Sequence, residues 1–493
     1  MKKVAIIGAG LGSLATAIRL AAEGYKVDVY EASDSPGGKA GQIKEDGFRF
    51  DTGPSLLTMP FVLRDLYKAA GEELSDHINI IQPEIICRYF YPDTTVFNAY
   101  ADLSKLINEM ITVFGESGAS VKGYLGYCKK IYDLTADIFL FNSFSGASSF
   151  FSLKALKTLI NLRSIDSGRT MHEANSSFFK NPKTIQLFDR YATYNGSNPY
   201  QAPATLNIIQ HVEYYIGGFT TDGGINKISK SLFELAVKLG VKFRFNTPVK
   251  EILLEGKIAR GLVLSEQETK RYQVIVVNAD VNYTYKKLLP NFSSSAGKKY
   301  ATQEPSSSAL VYYWGVKNEN QKLEAHNIIF SANYEREFQE IFVEKTLPTD
   351  PTIYIYISKK ISYLDAPMGS ENWFVMVNSP YINENLTEDS IEAMKWRIID
   401  KINSTLKINL GENIVFEKRL TPFDIEATTS SSFGSIYGIS SNNKFSAFKR
   451  HPNKSKEIKS LYFCGGSAHP GGGIPLVLLS GKITAELIMK HEK

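Results

Sequence analysis

The chain has 493 residues, of which 43% are hydrophobic, 22% charged and 12% aromatic. That is enough apolar material for a sizeable core, and it excludes disordered and collagen-like chains. A net charge of +5 is small for this length, so no nucleic-acid partner is expected. Three scattered cysteines (Cys87, Cys128, Cys464) and seven histidines with no i,i+3 or i,i+4 pairing predict neither a disulfide framework nor a metal site, and fit a reducing compartment.

In chain order, residues 4–7 read as a short buried strand, followed by a glycine turn. Apolar and small residues then recur at helical spacing from 14 to 22, with Arg19 and Glu23 outward. Residues 26–31 alternate as a second strand and complete a βαβ unit. Lys2 and Lys3 before an apolar stretch, with Ala15-Thr16-Ala17 behind it, also admit a secretory signal; Gly8, Gly10 and Gly12 break up the apolar helix such a signal needs. Residues 56–220 carry long helical patterns and many aromatics. Around Thr220 the texture reverts: Asp222-Gly223-Gly224 opens an amphipathic helix over 225–239, and 241–245, 249–254, 258–264 and 273–277 form a strand series. Residues 300–430 are mixed, with strands at 310–314 and 352–357 and a helix near 389–406. A strand at 461–464, a glycine loop and a helix over 475–489 follow. No run reaches the ~18 apolar residues of a membrane-spanning helix. The pattern predicts an α/β protein. One discontinuous nucleotide-binding domain (1–75, 220–290 and 440–493) is interleaved with an α+β substrate domain (76–219 and 291–439).

Gly8-Ala9-Gly10-Leu11-Gly12-Ser13 lies between strand and helix, where glycines permit a tight turn and close backbone approach to a pyrophosphate. Ser13 takes the third small position of the fingerprint. Glu31 ends the second strand, placed to accept ribose hydroxyls. This much does not choose between NAD and FAD. Ser35-Pro36-Gly37-Gly38-Lys39 and Phe50-Asp51-Thr52-Gly53-Pro54 read either as ordinary turns or as backbone wrapping a longer cofactor, with Lys39 as a nearby cation. The segment from Cys464 to Pro475 holds five glycines and two prolines. It suits close approach to a flat ring, with Pro475 in the first turn of a helix aimed at that ring. No second GxGxxG follows a strand, so a nicotinamide cofactor is not expected.

With these motifs, with the run from Arg190 to Tyr200, and with Asn278-Ala279-Asp280 followed by Tyr283-Thr284-Tyr285, the chain resembles the bacterial phytoene-desaturase family of carotenoid desaturases along its whole length. Its ending is similar to the hydroxycarotenoid 3,4-desaturase branch. The resemblance implies non-covalent FAD in a glutathione-reductase-like, Rossmann-type domain, and a lipophilic carotenoid as substrate. It implies that Glu31 binds the adenosine ribose, that Val249 meets the adenine through its backbone, and that Gly466, Gly473 and Ile474 border the isoalloxazine. Gly8, Gly10, Gly12, Ser13, Gly38, Lys39, Gly53, Pro54, Ser55, Ala279 and Pro475 complete the expected cofactor contacts.

A carotenoid enzyme must meet a membrane surface. Residues 138–153 contain five phenylalanines, and 138–183 carry six basic and two acidic residues, most of the surplus charge. This predicts peripheral docking on anionic lipid at the cytoplasmic face; the alternative is a core helix with a solvated lysine face. Desaturation removes two hydrogens beside a conjugated chain. No side chain deprotonates such a C–H first, but hydride loss leaves a delocalised cation whose neighbouring proton a carboxylate or water can take. Catalytic side chains are therefore not identified from sequence, and neither a triad nor a metal is expected. Asp189, Arg190 and Tyr191 are candidates near the reacting carbon, although Asp189 and Arg190 read more readily as a structural ion pair. His469 is either a base or a packing and substrate-orienting group. Cys464, ending an apolar strand, reads as a buried thiol rather than a flavin attachment point.

The expected function is an FAD-dependent carotenoid desaturase, within it a 1-hydroxycarotenoid 3,4-desaturase, with quinone or dioxygen as electron acceptor. Its rivals are phytoene desaturation, polyene isomerisation, terminal oxidation, and a flavin-free lipid-binding protein on the same fold.

Overall fold

The structure is a computed structural model that describes residues 2–141, 165–443 and 450–492. The apolar run Val4-Ala5-Ile6-Ile7 is suited to burial on both faces, and β1 (Lys3–Ile7) is the central strand of a five-stranded sheet. With β2 (Lys26–Tyr30), β3 (Lys242–Arg244), β4 (Val274–Val277) and β5 (Leu461–Phe463), the order is β3–β2–β1–β4–β5, every pair parallel. Strands far apart in sequence thus end at one edge, beside Ile7, Tyr30, Val277 and Phe463.

One face of this sheet is covered by α1 (Leu11–Ala22), α2 (Asn226–Lys238) and α3 (Ile474–His491), through Leu14, Ile18, Ile228, Leu232, Leu478 and Ile483. Burial of each such side chain contributes about 1.5–3 kcal/mol. Helices α1 and α3 touch backbone to backbone: a Cβ on Gly481 would lie 2.6 Å from the Gly12 carbonyl oxygen. The other face packs on a three-stranded antiparallel sheet (Glu251–Glu255, Ile258–Ser265, Glu268–Arg271) through Ile252 and Leu262.

A second sheet has seven strands in the order Ile414–Leu420, Ser308–Lys317, Ser370–Ser379, Ile353–Ile357, His326–Ile329, Ile85–Phe90 and Val96–Tyr100. The helix Glu388–Leu406 covers one face with Ile391, Met394, Ile398 and Ile402, packed in one cluster with Trp314 and Trp373. Two of these strands correct the helical reading of residues 56–220. Ile85–Phe90 and Val96–Tyr100 form a hairpin whose turn closes with the Thr94 N–H on the Tyr91 carbonyl (3.0 Å), after Pro92-Asp93. Their β-branched and aromatic content outweighs the helical texture around them.

The sheets are joined by Phe48–Asp51. Arg49 pairs with Asp51 (2.5 Å) and Asp365 (2.9 Å), and Asp51 accepts from the N–H groups of Ile225 (3.2 Å) and Asn226 (2.9 Å) at the start of α2. Gly224 is glycine because a Cβ there would sit 2.2 Å from the Arg49 guanidinium. No described helix is long and apolar enough to cross a membrane.

Candidate active site

The carboxyl edge of the parallel sheet opens into a cavity of about 750 Å³, within the size range of cofactor and ligand sites. Gly8 leaves β1 at φ +89° and Gly10 is the N-cap of α1, so its first turn has no side-chain cap. Close approach explains the glycines: a Cβ on Gly10 would lie 2.6 Å from Asn278 Nδ2, and one on Gly12 would lie 2.9 Å from the Gly465 nitrogen. Glu31 follows β2 and secures this turn. It accepts from the Ala9 N–H (2.5 Å) and from the Ser33 N–H and hydroxyl (both 2.9 Å).

Gly53 faces the Lys39 carbonyl oxygen so closely that a Cβ would lie 1.9 Å from it. Lys39 Nζ donates to the Ile436 carbonyl (2.8 Å) and, at 3.4 Å, to that of Ser435. Burial pushes its ammonium down to about 8, with Asp280 opposing. At the far end of the chain, Gly473 (φ +97°) leads into α3, whose first turn carries Pro475 and no side-chain cap. A Cβ on Gly473 would meet nothing within 4 Å. The Gly12–Gly481 contact packs the first turn of α1 against the middle of α3, and the N-terminal turns of both helices line the cavity.

Gly8, Gly10, Gly12, Glu31, Gly38, Lys39, Gly53, Pro54, Ser55, Val249, Ala279, Gly466, Gly473, Ile474 and Pro475 all line this one cavity. Ser13 does not; it is fully buried in α1, where its small size serves packing. Residues the sequence reading left out join them. Asn278 follows β4 and touches both glycine loops. Arg450 lines the wall and donates to the carbonyls of Gly466 and Tyr437 (both 3.2 Å). A strand-end asparagine was visible in sequence, whereas nothing local marks Arg450. Cys464 is buried outside the lining, its thiol pushed up to about 12 by burial. His469 is buried in the wall and donates its backbone N–H to the His451 carbonyl (2.9 Å).

Beyond the glycine loops the cavity runs along the seven-stranded sheet, lined by Val311, Phe374, Met376, Leu420, Ile209 and Val212. Its wall also holds charge. Arg190 lies in a 3-10 turn (Arg190–Asn195) and Glu213 in a π-helical turn (Val212–Ile216), a widened geometry common at functional sites. Arg190 pairs with Glu213 (3.3 Å), not with its neighbour Asp189. Successive residues point apart here: Asp189 faces inward to His172 (2.6 Å) and Asn175 (2.8 Å), so the expected Asp189–Arg190 pair does not form. Tyr191 donates to Glu213 (2.6 Å), as does Tyr194, and the Arg190 guanidinium lies 4.1 Å from the Tyr191 ring centre. Nearby, the Tyr354 hydroxyl bridges Ser55 (2.5 Å) and His326 Nδ1 (2.7 Å). Burial pushes His326 down to about 3 and so holds it neutral.

The chemistry of the glycine lobe fits FAD: uncapped helix N-termini for phosphates and ring, a carboxylate beyond the second strand for a ribose, and an open face at Gly473 where a Cβ would fill the space. A nucleotide fold whose ligand edge runs on into a mostly apolar second lobe has room for a flavin beside a lipophilic ligand. The sequence profile of the flavin-containing amine oxidoreductases matches residues 14–489, and the chain belongs to that family. It is an FAD-dependent oxidoreductase. The chain is 44% identical to a 1-hydroxycarotenoid 3,4-desaturase of Flavobacterium sp. (strain P99-3), over 99% of both chains. It is 33% identical to a 4,4'-diaponeurosporene oxygenase of Staphylococcus haemolyticus (strain JCSC1435), over 99% of this chain and 97% of that one. Among solved structures, an oxidoreductase from Methanosarcina mazei (15% identity, TM-score 0.64, 99% and 100% coverage) and cyclohexylamine oxidase from Brevibacterium oxydans IH-35A (13% identity, TM-score 0.60, 100% of both chains) share the fold.

Proposed function

We propose that the protein is a carotenoid desaturase that removes two hydrogens from a 1-hydroxylated polyene to form its 3,4 double bond. The observation that carries this reading is the single cavity, in which a glycine-lined lobe is continuous with an apolar lobe along the seven-stranded sheet. The full-length similarity to a protein of that activity supports it. In this reading the parallel-sheet regions (1–75, 220–290 and 440–493) hold FAD, and 76–219 with 291–439 hold the polyene. Glu31 binds the ribose, the α1 N-terminus the pyrophosphate, Val249 the adenine, and the Gly466 and Gly473–Pro475 loop the ring.

Bound FAD supplies a two-electron oxidant for the substrate's C–H bond. The chain's own part is to align the polyene along Val311, Phe374 and Met376 and to keep water from it. The proton that also leaves needs only a weak acceptor, because the cation left on the polyene acidifies its neighbour.

Peripheral membrane docking on the cytoplasmic face belongs to the same proposal. Leu140 and Ile165 line the cavity on either side of residues 142–164, which lie outside the described residues and hold three of the five phenylalanines and three of the six cations of that stretch. Two of the six cations counted there are paired, Arg169 with Asp166 and Lys183 with Asp93, so lipid attraction rests on the others. Quinone or dioxygen would reoxidise the flavin. The test is product mass from purified holoprotein given a 1-hydroxycarotenoid. A loss of two hydrogens is expected; unchanged mass would indicate isomerisation, and added oxygen the chemistry named for the staphylococcal relatives.

A further inference from the structure

The floor of the apolar lobe changes character along one strand. In Ser370–Ser379, Phe374, Met376 and Asn378 line the cavity, while Val375 and Val377 pack into the core behind the sheet. That is the alternation a regular strand imposes, so the three side chains face the cavity. On the paired strand Val311 lies opposite Met376 and Ala309 opposite Asn378, and both also line the cavity. An apolar row, Val311 and Met376, is thus followed by one that carries an amide. The Asn378 amide has no hydrogen-bond partner among the described residues. Its neighbours offer none: Ala309 carries only a methyl group, and Thr352, set beside Asn378 by the pairing of Ile353 with Val377, has its hydroxyl engaged by Glu337 (2.6 Å). The amide is open to the cavity and not sealed behind its wall, for Asn378 is only partly buried and its atoms are not among those closed to access. Ser307, two residues before Ala309, lines the cavity too, with a hydroxyl likewise unpaired and accessible. A hydrocarbon lying over this floor would desolvate both groups and satisfy neither.

We propose that Asn378, with Ser307 as its second member, is the recognition site for the hydroxyl group of the substrate. The amide carbonyl accepts the hydroxyl proton, and the Asn378 N–H or the Ser307 hydroxyl donates to the oxygen, so that donor and acceptor needs match on both sides. Ser307 is the diagonal neighbour of Asn378 across Ala309, about 7–8 Å away along the sheet. With both side chains reaching inward, one oxygen bridges that interval. This rests on the desaturase reading above and adds to it the residues that select hydroxylated over unhydroxylated chains. Position supports it. In a 1-hydroxycarotenoid 3,4-desaturation the hydroxyl-bearing carbon is three bonds from C4, at most about 4.5 Å at ~1.5 Å per bond. A hydroxyl site must then adjoin the cofactor lobe, and this one does so on two sides. The Ser307 carbonyl accepts from the Ile436 N–H (3.2 Å), and the Ile436 carbonyl from Lys39 Nζ (2.8 Å) of the glycine lobe. Met376, two residues from Asn378, lies opposite Tyr354, whose hydroxyl bonds Ser55 (2.5 Å) of the same lobe.

A site built to hydrogen-bond a hydroxyl rejects the analogue that lacks it, because its polar groups are then covered and left unpaired. The experiment compares kcat/KM of the holoprotein for a 1-hydroxycarotenoid and for the same carotenoid without the hydroxyl. It also compares the binding of a saturated isoprenoid chain with and without a 1-hydroxyl, read by perturbation of flavin absorbance. Wild type should favour the hydroxylated member at least about 100-fold in kcat/KM. In Asn378→Leu, similar in size but without polar atoms, the ratio and the binding preference should both fall at least about tenfold, by loss on the hydroxylated member and gain on the other. Ser307→Ala should lower both at least about threefold, and this smaller change decides the matter should Asn378→Leu not fold. An unchanged ratio in the deciding variant, or a wild type without the preference, overturns the hydroxyl site and leaves the desaturase reading standing. A folded Asn378→Leu protein that no longer retains flavin overturns it too, by assigning the amide to the cofactor. Wild type that desaturates neither carotenoid overturns the desaturase reading, and the inference with it.

Discussion

The two lobes of the cavity are made of different materials. Around the parallel sheet the wall is main chain, and its glycines are fixed by what presses against them: Gly12 by Gly465, Gly53 by the Lys39 carbonyl, Gly481 by the Gly12 carbonyl. Along the seven-stranded sheet the wall is side chain, with apolar groups and one charged cluster assembled from Arg190, Tyr194 and Glu213. The first lobe is damaged by adding atoms and the second by removing charges. A cofactor common to many substrates is thus gripped by backbone, while side chains are left to distinguish one substrate from another.

The largest effect is expected where a charge is removed. Arg190→Met leaves the Glu213 carboxylate buried without its cation and should cost about 3–5 kcal/mol in urea unfolding, with much of that recovered in Arg190→Met/Glu213→Leu. A loss below 1 kcal/mol would mean that water reaches the pair, and would erase the contrast between the lobes. Next comes the addition of one methyl group. Gly53→Ala puts a Cβ against a backbone carbonyl that has no rotamer to move, and a loss of about 3 kcal/mol with poor flavin retention is expected. Normal stability and flavin content would show that the 39–53 contact is loose.

The smallest effect concerns Lys39, a cation in the backbone-built lobe. With its ammonium pushed down to about 8 from 10.5, the folded apo chain releases this proton before the unfolded chain does. Apo stability should therefore rise between pH 8 and 10.5, where the unfolded state binds more protons. FAD is anionic and favours the charged amine, so flavin affinity should move the other way. Titrated by fluorescence, it should fall by up to about tenfold per pH unit above 8 in wild type and stay flat in Lys39→Gln. Equal pH profiles for the two proteins would remove Lys39 from the cofactor site.

The same division decides how much could be read from the chain alone. The glycine lobe is legible because its constraints are local: a turn, a helix start and a strand-end acid within some thirty residues. Each glycine records a steric demand that only glycine meets. Ser13 shows the limit of this reading, since smallness at that position serves helix packing and not ligand contact. The substrate lobe was legible only in outline. Glu213 meets Arg190 because a helix, a 3-10 turn and a π turn fold back on one another. The sequence instead offers Asp189, next to Arg190 in the chain but directed the other way. The hairpin of Ile85–Phe90 and Val96–Tyr100 escaped for a similar reason: its partner strand, His326–Ile329, lies far along the chain.

The most direct measurement is anaerobic mixing of the flavin-loaded protein with one equivalent of a 1-hydroxycarotenoid, followed by absorbance. If one cavity holds both molecules in contact, the oxidised flavin band should bleach while the polyene band shifts to longer wavelength as a conjugated double bond is gained, in equal amounts. A flavin that stays oxidised while the carotenoid is bound would contradict that arrangement.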